Sequence, residues 1–332
     1  MGLLDNAIDA FRFKDTIFYK SNSDLQDKYD ALNKLKEEYP NNEDLLQELY
    51  IVKKGLDGEN EIAYQLKKSN IGMYVLRDIK VKYEDLFAQI DYVVLTPLCT
   101  YFIECKNLVG NIFVNEKGDF IRELVINGKK IKKGMYSPLR QVEAQREVLR
   151  KIWESRASTF NKILFSKSFN KYRKVLVVAA NQDTILDTSK APNDMKYKIL
   201  RADSLIRQIE YDFNHRDKDE VLFNKKDLED AAASYIEISY KEQVDYYDFY
   251  KRKYCNNINV SIDDLKTKLI EFRKNRSKEM NIPAYYVFTN EELDKLVELK
   301  PKSIDELYNL NILTKIKIKS HGEAIVKIIN NN

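Results

Sequence analysis

The stretch Gln89–Asn107, QIDYVVLTPLCTYFIECKN, constrains this chain more than any other. It holds two apolar runs, Val93-Val94-Leu95 and Tyr101-Phe102-Ile103, on either side of Thr96-Pro97-Leu98-Cys99. Short β-branched and aromatic runs bounded by turn residues predict two strands of a hairpin. Each strand carries an acid, Asp91 in the first and Glu104 in the second. A hairpin centred between Pro97 and Leu98 sets Asp91 opposite Glu104 and Gln89 opposite Lys106. Opposed residues share a sheet face, and alternation adds Lys106 to the face of Glu104. Two facing carboxylates beside apolar strands are costly unless positive charge lies between them. Two readings stay open at this point. One is a divalent metal site with oxygen ligands and a neighbouring lysine. The other is a pair of edge-strand acids facing water, one of them paired with Lys106.

The 332 residues suffice for two domains or one large one. A 44% hydrophobic fraction permits a core, and a net charge of +4 means that any nucleic-acid surface must be a local patch. Nine glycines, six prolines and 33% charged residues predict long helices with short connections. Cys99, Cys105 and Cys255 form no CxxC pair, and His215 and His321 are far apart. That argues against a zinc site or a disulfide framework and suits a reducing cytosol. No run approaches ~18 apolar residues, and no basic segment precedes an apolar core at the N-terminus. The expectation is a cytoplasmic protein with no membrane span and no signal peptide.

In chain order, Leu3, Leu4, Ile8 and Phe11 form a short amphipathic segment. A helix carrying Leu25, Tyr29, Leu32 and Leu35 follows, is broken at Pro40-Asn41-Asn42, and resumes with Leu45, Leu46, Leu49 and Val52. Gly55-Leu56-Asp57-Gly58-Glu59 reads as a break before a new helix, with Asp57 as its N-cap and Glu59 and Glu61 as first-turn acids. Strands are predicted at 73–81, 111–114 and 120–126, with a tight turn at Asn127-Gly128. The return strand holds Lys129, Lys130, Lys132 and Lys133 around Ile131. These lysines are either a phosphate-binding edge or charges that keep an edge strand from pairing. Ser137-Pro138 opens a helix that contains Arg140 and Gln141. Val175–Ala180 reads as a central strand buried on both faces. From Ser261 the pattern changes to short helices, with capping boxes expected at Thr289/Glu292, Ser303/Glu306 and Ser320/Glu323.

Gly55…Gly58-Glu59, Gln89-Ile90-Asp91, Ile103-Glu104-Cys105-Lys106-Asn107, Gly110 and Pro138–Gln141 together resemble the NERD (nuclease-related domain) family, over about residues 50–180. That family has the restriction-endonuclease-like PD-(D/E)XK fold. The resemblance implies that Asp91 and Glu104 hold Mg²⁺ or Mn²⁺ and that Glu59 supports metal or water. It also implies that Lys106 acts on water or on the phosphate, and that Gln141 lies near the site. Cys105 departs from the Thr, Ala or Val usual between Glu and Lys. The last helices, with Arg273, Pro283-Ala284-Tyr285, Val287-Phe288 and His321-Gly322-Glu323, resemble an HRDC domain. No glycine occurs in Leu310–Lys315, where that family carries a glycine-bearing loop. Lys315, Lys317 and Lys319 are expected to form a basic face, with protein docking as the other reading.

The expected architecture is α/β: a restriction-endonuclease-like mixed sheet flanked by helices, preceded by a helical hairpin and followed by a small all-α domain. The expected divisions are 1–52, a helical segment; 53–212, the nuclease-like domain; 213–258, a partly helical connecting segment; and 259–332, the HRDC-like domain. The expected activity is metal-dependent endonucleolytic hydrolysis of phosphodiester bonds, with DNA ahead of RNA. The alternative is a non-catalytic nucleic-acid-binding or adaptor protein of a DNA-repair or phage-defence complex. The N-terminal helices are the expected surface for a homodimer or a partner protein.

Overall fold

The computed structural model describes residues 9–10, 12–126, 128–156, 168–240, 244–255, 262–280, 283–310 and 312–331. The amphipathic segment expected at Leu3, Leu4, Ile8 and Phe11, the turn residue Asn127 and the helix start at Ser261 lie outside them. The chain forms two compact units, 1–250 and 251–332.

The first unit is built on a mixed sheet. Its strands are β1 (Thr16–Lys20), β2 (Met73–Tyr83), β3 (Leu86–Leu95), β4 (Thr100–Lys106), β8 (Arg173–Ala179) and β10 (Ile199–Arg201), in the spatial order β1-β2-β3-β4-β8-β10. β2, β3 and β4 run antiparallel, whereas β8 lies parallel to both β4 and β10. The apolar run expected as a central strand is β8, and five of its seven residues are buried. A second sheet of β5 (Asn111–Val114), β6 (Phe120–Ile126), β7 (Lys129–Met135) and β9 (Leu186–Asp187) has β7 on its outer edge.

One face of the large sheet packs Leu76, Val93, Phe102 and Val177 against α3 (Pro138–Arg156) and α5 (Lys225–Glu237). The other face packs Val75, Tyr92, Ile103 and Val178 against α2 (Glu43–Leu66) and α4 (Leu205–Asn214). Helix α5 lies within 213–258, the stretch expected as a connecting segment. Its Leu228, Ala232 and Tyr235 are buried in the sheet core.

Helix α1 (Asp24–Glu38) ends just before Pro40 and forms a hairpin with α2, whose first turn is capped by the Asn42 side chain accepting from Leu45 N–H at 3.0 Å. Helix α2 then runs unbroken for 24 residues to Leu66. The helix start expected at Asp57 is therefore absent, Glu59 and Glu61 are mid-helix, and the boundary expected at 52/53 falls inside α2. The glycines misled because two of them in four residues usually interrupt a helix. Here they make room. A Cβ on Gly58 would lie 2.6 Å from Asn107 Cβ and 3.2 Å from Cys105 Sγ, whereas one on Gly55 would meet only the Leu25 methyls, at 3.1 and 3.6 Å. Helix α6 (Tyr246–Tyr250) packs on α1, where Tyr247 OH donates to Glu38 at 2.5 Å.

The second unit is all helical: α7 (Ile262–Glu279), a single turn at Ala284–Val287, α8 (Asn290–Leu299), α9 (Ile304–Asn309) and α10 (Lys315–Asn330). Leu269, Phe288, Leu296, Leu307 and Ile325 meet in its core. Thr289/Glu292 forms the expected capping box. Ser303 caps α9, but the Glu306 carboxylate accepts from Lys302 N–H instead of closing the box. Ser320 starts no helix: α10 begins at Lys315 with Thr314 as N-cap, and Ser320/Glu323 lie inside it. Among the described residues no helix is long and apolar enough to cross a membrane.

The two α2 glycines separate packing from helix propensity. Gly58→Ala is expected to lower stability by about 1–3 kcal/mol through overpacking against β4. Gly55→Ala is expected to be neutral or stabilising by up to ~1 kcal/mol, since the Leu25 side chain can shift. Urea denaturation midpoints measure both, and equal loss at the two positions would refute the assignment.

Candidate active site

The β3–β4 hairpin has the expected register, with Tyr92↔Ile103, Val93↔Phe102, Val94↔Tyr101 and Leu95↔Thr100. The ladder stops at Tyr92, because β2 and β3 kink together. Asp78 in β2 has φ +54°, and the pairs Arg77↔Tyr92 and Ile79↔Ile90 straddle Asp78 and Asp91. The core-facing residues show the effect: Leu76 is followed by Ile79, and Ile90 by Val93, each a step of three where a regular strand has two. The expected pairing of Gln89 with Lys106 is therefore absent, since the β3–β4 ladder ends at Tyr92↔Ile103, and on the other side of β3 Gln89 pairs with Lys80 of β2. Its amide donates to Asp78 Oδ1 at 2.6 Å, while Lys20 Nζ donates to the Asp78 carbonyl at 3.0 Å and Asp24 N–H to Asp78 Oδ2 at 2.7 Å. These bonds hold a left-handed aspartate that would otherwise be disfavoured.

Asp91 sits where β3 leaves β4. Its Oδ2 accepts from the Cys105 backbone N–H at 2.7 Å, so a side chain takes over where the ladder ends. Glu104, at 2% exposure, accepts from Lys106 Nζ on Oε1 at 2.5 Å and from Gln145 Nε2 on Oε2 at 3.2 Å. Lys106 Nζ also donates to Gln141 Oε1 at 3.3 Å. Ser137 Oγ accepts from Arg140 N–H at 3.3 Å at the start of α3, and one turn of that helix separates Gln141 from Gln145, so both point at β4. Burial and the neighbouring Glu104 carboxylate push Asp91 well above the usual carboxylate range. Two crowded carboxylates with a single lysine are short of positive charge, and hard oxygen donors of this kind suit a divalent cation.

Glu59 belongs to a different set of contacts. It is buried on α2, its Oε2 accepts from Arg77 Nη2 at 2.9 Å, and its carbonyl accepts from Tyr92 OH at 2.6 Å. Burial raises its pKa, against the pull of Arg77. Glu59, Asp91 and Gln141 line one open cleft of about 890 Å³. Among the described residues no group of three or more His, Cys, Asp or Glu is placed to hold a metal ion, so Glu59 is not gathered with Asp91 and Glu104 into a three-carboxylate set.

The structure also adds residues. Gln145 holds Glu104, and its buried Oε1 has no hydrogen-bond partner among the described residues. Its signal was its place four residues after Gln141. Arg77 holds Glu59, and nothing in the local sequence marks that pairing across 18 residues. Cys105 points to the face opposite Glu104, toward α2, and contributes its backbone N–H to the site.

The basic residues are dispersed. Lys129 and Lys133 are exposed on β7, and Lys130 and Lys132 lie 3.4 and 3.8 Å from Glu123. Arg140 is exposed in the first turn of α3. In the second unit Lys315 and Lys319 are exposed, but Lys317 pairs with Glu292 at 2.6 Å. The expected face of three lysines is thereby corrected: at ~100° per residue, position 317 points away from 315 and 319.

Residues 54–178 match the family model described as nuclease-related domain, NERD, and residues 263–329 match that of the HRDC domain. The chain thus carries a nuclease-related domain followed by an HRDC domain. No curated protein and no solved structure matched the chain.

The Glu59–Arg77 pair yields a stability prediction. Arg77→Ala leaves a buried carboxylate unpaired and is expected to cost about 3–5 kcal/mol. Glu59→Gln, which keeps a hydrogen-bond acceptor for Arg77, is expected to cost less. Urea unfolding of the two variants checks the order.

Proposed function

We propose that this chain is a metal-dependent nuclease that hydrolyses phosphodiester bonds of nucleic acid, with DNA ahead of RNA and the HRDC domain aiding engagement of the substrate. The observation that carries the reading is the hairpin register. It brings Asp91, which lines an open cleft, next to Glu104, whose partners Lys106 and Gln145 reach it from β4 and α3, in the part of the chain that matches a nuclease-related domain.

In this reading Asp91 and Glu104 hold Mg²⁺ or Mn²⁺. The bound ion supplies Lewis acidity at a phosphate oxygen and makes water a better nucleophile. Lys106 offers three N–H donors, two of which go to Glu104 and Gln141. Its third donor is available to a phosphate oxygen, where a fixed positive charge stabilises developing negative charge. Gln141 and Gln145 orient Lys106 and Glu104 from α3, and the Cys105 N–H orients Asp91. Glu59 supports the cleft from α2 through Arg77 instead of joining the ligand set.

A second reading, a non-catalytic nucleic-acid-binding or adaptor protein, draws support from one observation. Both Glu104 oxygens already accept hydrogen bonds from the protein. Plasmid DNA, linear DNA and RNA incubated with the full chain in Mg²⁺ or Mn²⁺ separate the two. The nuclease reading expects cleavage that EDTA abolishes and that Glu104→Ala and Lys106→Ala each lower by about 10²-fold or more. Binding without cleavage, or equal traces of cutting in wild type and both variants, would leave the adaptor reading standing.

A further inference from the structure

We propose that the cleft lined by Asp91, Gln141 and Gln145 takes single-stranded nucleic acid, with bases stacked on Phe87 and Tyr136. The inference rests on the nuclease-related reading of that cleft and names the form of its substrate.

Two aromatic side chains line the cleft and face solvent. Phe87, from the β2–β3 hairpin, is 53% exposed, although its ring makes a T-shaped contact with Tyr240. Tyr136, just before α3, is 76% exposed. Exposed aromatic residues are common on this chain, but these two lie together in the cleft that Asp91 lines, where they offer an apolar face to an occupant. Unpaired bases have such faces, and stacking on aromatic residues accepts any base. A duplex hides its base faces and presents phosphates and groove edges instead.

The distribution of charge agrees. Lys28 and Lys151 are the cations of the cleft, beside Glu59, Asp91 and Glu147. That is a poor surface for the phosphates of two strands. The larger basic run lies on β7, which leads directly into Tyr136. At about 3.4 Å per residue, Lys133 to Lys129 lie roughly 10 to 24 Å along the strand from Tyr136. Lys129 and Lys133 share one face of that strand, while Lys130 and Lys132 pair with Glu123 on the other, so one backbone can follow Lys129 and Lys133 while its bases reach Tyr136 and then Phe87.

The test uses the full chain carrying Glu104→Ala, irradiated with a bromouracil-substituted single-stranded oligonucleotide in Mg²⁺, followed by peptide mapping of the crosslinks. Crosslinks are expected on peptides containing Phe87 or Tyr136. Unlabelled single strand should compete for them at least about 10-fold better than blunt duplex of the same sequence. Phe87→Ala and Tyr136→Ala are each expected to weaken that binding by about 5- to 100-fold, the range for loss of one base–aromatic stack. Phe87→Leu and Tyr136→Leu, which keep apolar bulk without the π face, should weaken it as well. Crosslinks confined to 251–332, equal competition by duplex, or unchanged crosslinking in the variants would overturn the proposal. Failure of the nuclease reading shows differently: wild-type protein would cut no substrate while the crosslinks in the cleft remained.

Discussion

A carboxylate of one strand bonded to a backbone N–H of the next is the contact on which this site depends. Asp91 accepts from Cys105 N–H at the point where the β3–β4 ladder ends. The bond ties the kinked end of β3 to β4 and leaves the Asp91 carboxylate next to that of Glu104. Burial and mutual repulsion then make this corner short of positive charge. The kink itself is held from outside the hairpin, by Lys20 on β1 and the Asp24 backbone on α1. The N-terminal hairpin is therefore part of the scaffold of the cleft.

The two helices nearest the cleft act on opposite faces of the sheet. Helix α3 lies on the face of Glu104 and Lys106 and supplies Gln141 and Gln145 at helical spacing. Helix α2 lies on the other face, approaches closely at Gly58, and carries Glu59 to the cleft edge on a buried ion pair with Arg77. Of its two glycines, Gly58 is the one that close packing requires. Asp91, Glu104, Lys106, Gln141 and Gln145 thus sit on strands and a helix, while the cleft rim is formed by the β2–β3 hairpin and the approach to α3. The exposed aromatic residues Phe87 and Tyr136 lie on that rim, apart from Asp91, Glu104 and their hydrogen-bond partners.

Much of the fold was legible in the chain. The apolar runs around Thr96-Pro97-Leu98-Cys99 specified the hairpin, and the turn between them set its register. Ser137-Pro138 marked the start of α3, and Val175–Ala180 marked a strand buried on both faces. The errors have physical causes. Gly55 and Gly58 look like a helix break when only local propensity is weighed, yet packing against Cys105 and Asn107 favours a continuous helix. Ser320/Glu323 has the spacing of a capping box but sits inside α10, since Thr314 had already capped it.

The sequence by itself determined which residues are close through a turn of the chain: Asp91 with Glu104 across the hairpin, Lys106 on the face of Glu104, Gln141 in the first turn of its helix. Local geometry, period two in strands and 3.6 in helices, suffices for these. Only the tertiary structure decided the partners of each group. It gave Glu59 to Arg77, Lys317 to Glu292, and Gln145 to Glu104. It also ended the β3–β4 ladder at Tyr92 through a kink at Asp78, a residue whose left-handed backbone no local pattern announces. Such pairings depend on burial and on which elements meet, and both are properties of the packed chain.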